Sequence, residues 1–166
     1  MTEPEEWIRQ LGLIRHPEGG WYRESYRSGD TILSRVLPPG VEGERACSTA
    51  IYFLLCSDDF SALHRIASDE LWHFYSGDPL TIQVITTDGV HQRLLLGPDF
   101  AKEERFQQLV PRGAWFGAEI EPPGAYTLVG CTVAPGFDFR DFQLGSQADL
   151  LAGYPAHGEL IRRLTR

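Results

Sequence analysis

A succession of short strand-like segments, divided by glycine and proline turns, is the feature that most restricts the fold of this chain. The predicted strands are 21–27, 47–56, two within 60–77, 80–86, 91–96, 105–110, 115–120 and 126–133. About nine or ten short strands at such regular spacing predict an all-β barrel or sandwich. Short helices are predicted at both ends, at 2–12 and within 146–164, the second with a break near Pro155.

Segment 47–56 is the most apolar of these strands. Its residues 51–55 are apolar on both faces, so the strand must be covered on both sides. One face can meet the barrel core, whereas the other needs a second layer of the same chain or a partner subunit. This requirement is the main reason to expect a homodimer.

Length and charge limit the class of protein. At 166 residues, the chain is expected to form one domain, 1–166. Its net charge of -8 argues against nucleic acid and anionic membranes as partners, because both favour clustered Lys and Arg. No apolar run approaches a membrane span, and the acidic N-terminus does not resemble a secretion signal, so a cytoplasmic location is expected. With no Cys-x-x-Cys spacing, Cys47, Cys56 and Cys131 are predicted to be small core residues.

Segment 60–77 carries the most chemistry. His64 and Glu70 stand six residues apart on two predicted adjacent strands that meet at the polar turn 67–69, and both are expected to point into one cavity. The segment resembles the first cupin motif, H-x-H-x(3-4)-E-x(6)-G, with Gly77 as the closing glycine. Ile66 stands where that motif has its second histidine.

The second cupin motif, P-x-G-x-x-H, resembles Pro111-Arg-Gly113-Ala-Trp-Phe116, with Phe116 in place of the histidine. The flanking segments 16–26 and 134–139 are similar to the small cupin 5 family, a domain of unknown function. This resemblance implies a cupin double-stranded β-helix (jelly roll barrel) whose interior holds one small molecule.

Metal-binding cupins supply three histidines and a glutamate to a transition metal, and this sequence retains only His64 and Glu70 of that set. A catalytic ion usually takes about three protein ligands. Strand alternation turns His73 away from the face that carries Glu70 and Trp72, so it is not expected to complete the set. The expectation is a metal-free pocket without a cofactor, with a metal at His64 and Glu70 as the alternative.

The remaining residues resemble the site of another cupin branch, the metal-free nucleotide-sugar 3,5-epimerases of rhamnose biosynthesis. That resemblance implies that His64 removes a proton beside a ketone and that Glu70 orients the histidine or stabilises its imidazolium form. A tyrosine, either Tyr52 or Tyr126, would return the proton. The apolar walls would be Trp72, Ile66 and Phe116.

Several assignments stay open on the sequence. Arg23 either anchors a substrate anion or pairs with Glu18 or Glu24. The His64–Glu70 pair either performs chemistry or is only a buried hydrogen-bonded pair. The protein is accordingly an isomerase or epimerase, a small-ligand binding protein without chemistry, or a metal-dependent cupin.

Two turn residues are interpreted as structural, and one loop has two possible roles. His16, in a His-Pro-Glu turn, and Asp138, in a Pro-Gly-Phe-Asp turn, are expected to stabilise local backbone. Segment 36–43, which contains Pro38-Pro39-Gly40, is either a surface connector or a mobile lid.

Overall fold

The structure, a computed structural model, describes residues 2–39 and 41–166. Gly40, in the predicted 36–43 loop, lies outside the described residues. The helices are α1 (Glu3–Leu11), α2 (Gln147–Gly153) and α3 (Gly158–Arg163). The strands are β1 (Ile14–Arg15), β2 (Trp21–Arg27), β3 (Thr31–Ile32), β4 (Arg45–Ala46), β5 (Thr49–Cys56), β6 (Ser61–Arg65), β7 (Asp69–Gly77), β8 (Leu80–Ile85), β9 (His91–Leu96), β10 (Gln107–Val110), β11 (Trp115–Glu119), β12 (Tyr126–Ala134) and β13 (Gln143–Leu144).

Two antiparallel sheets form the body of the molecule. The first has the strand order β1-β2-β5-β12-β7-β10, and the second has the order β13-β6-β11-β8-β9. The main core lies between them, where Phe53 and Val129 of the first sheet pack in one cluster with Ile82 and Phe116 of the second. The predicted all-β jelly roll with short terminal helices is therefore confirmed.

The predicted pairing of the two strands around the 67–69 turn is wrong. Strand β6 pairs with β11 and β13 in the second sheet, whereas β7 pairs with β12 and β10 in the first. The turn thus carries the chain from one sheet to the other. Consequently His64, on β6, and Glu70, on β7, approach the space between the sheets from opposite sides.

Strand β5 is covered on both faces by its own chain. Phe53 and Leu55 belong to the core between the sheets. Leu54 points the other way and packs in a second cluster with Leu13, against Trp7 of helix α1. Helix α1 is therefore the second layer that the sequence required. The uncovered face of β5 no longer supports a homodimer, which stays a prediction.

We expect Leu54→Ala to destabilise the protein by about 2–5 kcal/mol, because it opens a cavity beneath α1 in a fully buried position. Leu109→Ala, on the exposed face of β10, is the control and should change stability by less than about 0.5 kcal/mol. Urea unfolding of both variants measures the difference. Equal losses would contradict the packing of α1 on β5.

The predicted helix ends are confirmed by local hydrogen bonds. The backbone N–H of Thr2 donates to the Glu5 carboxylate at 2.8 Å, and Gly12 ends α1 in the left-handed conformation at φ 61°. The Ser146 side chain accepts from the backbone of Asp149 at the start of α2. A 3₁₀ turn, Pro155–His157, separates α2 from α3.

The cysteine prediction is only partly correct. Cys131 is buried and Cys56 is half-buried, but Cys47 is exposed because it precedes β5 rather than lying within it. All three are free thiols. Among the described residues, no helix combines the length and apolar character needed to cross a membrane.

Candidate functional site

A cavity of about 630 Å³ opens between the two sheets. Its walls are mostly apolar, and its least exposed titratable groups belong to two histidines, two buried carboxyls and a thiol. The apolar residues include Ile51, Phe53, Ile66, Trp72, Val133 and Phe137. The least exposed titratable groups are His16, Glu18, His64, Glu70 and Cys131. The half-buried Tyr22 and Asp138 also line the cavity, and the exposed residues Arg23, Glu24 and Arg27 lie at the rim. A cavity of this size and lining fits a small organic molecule.

Glu18 joins the two histidines. Its Oε2 atom lies 3.1 Å from His64 Nε2 and 3.3 Å from His16 Nδ1. Its Oε1 atom accepts a hydrogen bond from the Ser61 hydroxyl at 2.8 Å. All of these side chains are nearly inaccessible to solvent, so the contacts form in a medium of low polarity.

The hydrogen bonds around the Glu18–His64 contact assign its protons. His64 Nδ1 lies 2.7 Å from the Ala62 carbonyl oxygen, which can only accept, so Nδ1 carries a hydrogen. The Glu18 backbone N–H donates to His16 Nδ1 at 3.2 Å, so this nitrogen is an acceptor. A hydrogen bond between Glu18 Oε2 and His64 Nε2 then requires one proton, shared by the two groups.

Burial favours the neutral form of the whole cluster. It raises the pKa of Glu18 and lowers the pKa of His64 and of His16, because each charged form loses its hydration. The charge of a protonated His16 and the hydrogen bond from Ser61 both oppose this rise in the pKa of Glu18. We therefore place the shared proton on Glu18, hydrogen-bonded to a neutral His64.

Glu70 is the second buried carboxyl. Burial raises its pKa to about 7, His64 opposes the rise, and Glu18 adds to it. The Cys131 thiol and the Trp72 indole, beside the carboxyl, also lower this pKa. The Trp72 Nε1 atom nevertheless forms no hydrogen bond of ordinary geometry with any described residue, which leaves a buried donor for a ligand oxygen.

The structure brings together four of the residues selected from the sequence at the cavity wall: His64, Glu70, Trp72 and Ile66. Phe116 does not reach the surface of the cavity. Its ring lies behind the wall, with its centroid 4.1 Å from that of His64. It therefore supports the histidine instead of contacting a ligand.

Neither tyrosine predicted to return a proton lines the cavity. Tyr52 packs against Tyr75, with ring centroids 6.0 Å apart, and Tyr126 belongs to the cluster beneath α1. Alternation explains Tyr52, because its neighbour Phe53 points into the core. Tyr22, paired in register with Phe53, lines the cavity instead.

Arg23 lies at the rim, where it was expected to meet either a substrate anion or a nearby glutamate. Its Nη1 donates to the Leu11 carbonyl oxygen at 3.3 Å. Glu24 forms a two-point ion pair with Arg27 and Glu18 contacts the histidines, so the expected pairing of Arg23 with either glutamate is wrong. The guanidinium remains available to a ligand.

Two predicted orientations are correct. His73 faces away from the cavity, where its Nε2 lies 3.0 Å from Thr132 Oγ1 and its Nδ1 accepts from Gln107. Asp138 caps its own turn by accepting from the backbone N–H of Arg140 at 2.9 Å.

The sequence interpretation missed His16 and Glu18 as site residues. Their His-Pro-Glu-Gly-Gly segment has the composition of a turn, and turn chemistry explained it fully. The available signal was its place in a flanking segment similar to the cupin 5 family.

The residues do not fit the metal centre of metal-binding cupins. Ile66 and Phe116 are buried apolar side chains at two of its histidine positions, and both ring nitrogens of His64 are engaged by Ala62 and Glu18. Within residues 2–39 and 41–166, no group of three or more His, Cys, Asp or Glu is arranged to hold a metal ion.

Known proteins with similar sequences and structures were found. The sequence profile described as "Cupin superfamily (DUF985)" matches residues 5–145. A crystal structure of a Shewanella oneidensis protein is similar at 42% identity and a TM-score of 0.88, covering 100% of this chain and 99% of that one. A hypothetical protein from Leishmania major matches at 38% identity and a TM-score of 0.89, covering 97% of each chain. An uncharacterised protein of Saccharomyces cerevisiae is 29% identical over 153 residues, 85% of this chain and 76% of its own.

Proposed function

Because the chain belongs to the DUF985 family of the cupin superfamily, and because the described residues of its cavity form no metal-ligand set, we propose that it catalyses metal-independent proton transfer. The substrate is a small, sugar-like carbonyl compound. The reaction is an isomerisation or epimerisation, in which a proton leaves a carbon beside the carbonyl and is returned elsewhere or from the other side.

The observation that carries this proposal is Glu70, a buried carboxyl that lines a largely apolar cavity. Its pKa of about 7 lies near working pH, where a group can both take and give a proton. A carboxylate whose pKa is raised in this way is a stronger base than an ordinary carboxylate. The apolar walls that raise the pKa also keep water from the reacting carbon.

The geometry redistributes the roles that the sequence suggested. His64 was the expected base, but its Nδ1 binds the Ala62 carbonyl and its Nε2 binds Glu18, so neither nitrogen is free for a substrate. Glu70 takes the carbon-bound proton in this proposal. The Trp72 indole N–H, which forms no hydrogen bond of ordinary geometry with a described residue, donates to the carbonyl oxygen as negative charge develops on it. Tyr22 replaces Tyr52 and Tyr126 as the tyrosine that returns a proton.

The rim favours a substrate with an anionic group. The Arg23 guanidinium lies there and, among the described residues, hydrogen-bonds only to the Leu11 carbonyl, so its fork can bind a carboxylate or phosphate in two-point geometry. The Trp72 indole, deeper in the cavity, offers an apolar face and a buried donor to the carbonyl-bearing part.

The test is incubation with ketoses, aldoses and their phosphates in D₂O, followed by NMR detection of deuterium at the carbon next to the carbonyl. Exchange is expected for an anionic compound, and Arg23→Gln should raise its KM by roughly 10- to 100-fold, since a hydrogen bond to a charged group contributes about 1.5–3 kcal/mol. Arg35→Gln, outside the cavity lining, is the control.

Absence of exchange with every compound would overturn the proposal. A compound that raises the melting temperature but is recovered without deuterium would instead support the second candidate, a binding protein without chemistry. The Trp72 indole N–H is the observation that favours this candidate, because it forms no hydrogen bond of ordinary geometry with a described residue and can donate to a bound acceptor without any reaction.

A further inference from the structure

Helix α1 covers only one end of the outer face of the first sheet. It packs there on the outward side chains of Leu54 and Leu128, which are paired in register. Tyr26 and Tyr75, further along the same face, are 54% and 51% exposed. The uncovered part, which we call the tyrosine face, carries Tyr26, Tyr52, Leu71, His73, Tyr75 and Thr132.

Strand pairing makes the tyrosine face continuous. Tyr26 of β2 and Thr132 of β12 both pair with Ala50 of β5, and Thr132 also lies opposite Leu71 of β7. Cross-strand partners point to the same side of a sheet, so these side chains are neighbours. Leu109, on the edge strand β10, lies opposite Leu71 and forms the border of the face.

A glycine gives space to two of the tyrosines. Gly130 stands between Tyr52 and His73 in the register, and a Cβ there would collide with the Tyr75 hydroxyl. Tyr75 therefore lies across β12 toward Tyr52, with ring centroids 6.0 Å apart. The result is an exposed aromatic surface, and tyrosine is a residue in which protein interfaces are enriched.

The polar side chains of the tyrosine face already bind one another. Gln107 Nε2 donates to His73 Nδ1 at 3.1 Å, and His73 Nε2 lies 3.0 Å from Thr132 Oγ1. His73 is therefore neutral, with its hydrogen on Nε2. Both ring nitrogens keep their partners when water is removed, so this face can be buried without leaving the imidazole unsatisfied.

Charge favours a second copy of this chain as the occupant. Each copy has a net charge of -8, so two copies repel each other wherever their acidic groups meet. No residue of the tyrosine face carries a formal charge. Arg23, beside Tyr52 in the register, directs its guanidinium to the Leu11 carbonyl oxygen. An uncharged aromatic face offers no ion pair that would select a foreign partner, and it can meet its own copy across a two-fold axis.

We propose that two copies of this chain associate through their tyrosine faces as a weak, reversible homodimer. Five strands at a spacing of about 4.8 Å span about 20 Å, and the uncovered part extends about as far along the strands, so two faces together bury about 800–1,000 Å². Interfaces below about 1,200 Å² belong to weak complexes, so the dissociation constant should lie in the micromolar range. Leu109 lies at the border, where side chains contribute little to binding. The interface does not depend on the proposed reaction.

The first measurement is sedimentation equilibrium of the unmodified protein from about 1 μM to about 1 mM. The average mass should rise from that of one chain to that of two. ¹H–¹⁵N spectra over the same dilution should show shifts at Tyr52, His73 and Tyr75, and none at Val90 of the turn between β8 and β9. The mass of one chain at every concentration, or shifts confined to other faces, would overturn the proposal.

The second measurement locates the interface by charge substitution. Tyr75→Glu brings two like charges together across the two-fold axis and should raise the dissociation constant by at least about tenfold. Val90→Glu is the matched control, because Val90 is also 51% exposed and gains the same charge outside the tyrosine face. Equal dissociation constants for the two variants would overturn the proposal.

A second position keeps the test independent of the folding of one variant. Tyr26→Glu, at the opposite side of the tyrosine face, should weaken the dimer by a similar factor, and circular dichroism checks that each variant is folded. A folded Tyr26→Glu protein that associates as tightly as Val90→Glu would also count against the tyrosine face as the interface.

Discussion

Replacing Glu70 by glutamine is expected to stabilise the protein by roughly 3 kcal/mol at pH 8 and to abolish proton transfer in the cavity. Burial raises the pKa of this carboxyl from 4.5 to about 7, and each unit of such a shift corresponds to about 1.4 kcal/mol. Glutamine has nearly the same shape and can never ionise. The same substitution should therefore remove both the energetic cost and the activity.

The raised pKa of Glu70 determines whether the stability of the wild-type protein rises or falls with pH. Below pH 4.5 the carboxyl is protonated in both folded and unfolded chains, so its ionisation contributes no difference. Between pH 4.5 and about 7 the unfolded chain loses its proton first, and the wild-type protein loses stability as pH rises. Above about 7 both states are ionised and the loss is complete. Glu70→Gln escapes this loss, so its advantage should grow from zero near pH 4 to its full value near pH 8.

Urea unfolding of the wild type and Glu70→Gln at several values between pH 4 and 8 measures the difference. Glu121→Gln is the control, because Glu121 pairs with Arg93 on the surface, where solvent screens its charge. A stability difference that stayed constant from pH 5 to pH 8 would show that Glu70 titrates normally and would remove the main support for its role as base. Activity in Glu70→Gln within about tenfold of wild type would do the same.

The barrel could be predicted because its signals are local. Alternation along β8, where Leu80, Ile82 and Val84 point to the core, and a turn at Gly89 define strands without reference to distant residues. The glycine that closes the first motif was also recognisable: Gly77 has φ 96°, and a Cβ there would collide with the Tyr126 carbonyl oxygen.

Sheet membership could not be predicted in the same way. A short polar turn between two alternating strands looks the same whether it forms a hairpin or crosses from one sheet to the other, and the turn after Arg65 does the latter. The choice depends on pairing of β6 with β11 and of β7 with β12, which are separated from them in sequence. The sequence also could not show which face of the sheet carries the Tyr52 side chain, because β5 is apolar on both faces.

His16 and Glu18 could not be identified as site residues from the sequence for a related reason. The cupin motif locates His64 and Glu70, but Glu18 reaches His64 because the backbone N–H of Ala62 donates to the Glu18 carbonyl oxygen at 2.8 Å and holds the 16–20 turn against β6. That contact joins two segments with no shared pattern. The role of His64 changed with it, since the partner that engages Nε2 is Glu18 and not Glu70.

A large loss of stability is expected for Arg45→Ala, up to about 3–5 kcal/mol, because it leaves Asp141, whose side chain is only 11% exposed, as an unpaired carboxylate. Arg45 donates from Nε and Nη2 to the two Asp141 oxygens, each at 2.7 Å, and its side chain is 3% exposed. Arg140→Ala is the matched control: Arg140 forms a similar two-point pair with Asp138, but on the surface, and its loss should be much smaller.

The Arg45 pair also positions the cavity wall. Asp141 ends the 3₁₀ turn Phe139–Asp141, and the Phe139 ring stacks on His16 with centroids 6.0 Å apart. Arg45→Ala should therefore loosen the packing around His16 as well as destabilise the fold. Faster water exchange of the Glu18–His64 proton in this variant, measured under folded conditions, checks the connection.

Replacing both partners separates the ion pair from the rest of what Arg45 does. Arg45→Met combined with Asp141→Leu removes both buried charges, so it should recover most of the stability that Arg45→Ala loses. Recovery should remain incomplete by about 1 kcal/mol, because Arg45 Nη1 also donates to the carbonyl oxygens of Glu42 and Glu44, and, among the described residues, only the Glu44 oxygen has another side-chain contact, at 3.5 Å from Arg140 Nη2. Full recovery in chemical denaturation would mean that water satisfies both carbonyls. A double variant no more stable than Arg45→Ala would mean that those carbonyls, and not the charge of Asp141, account for the loss.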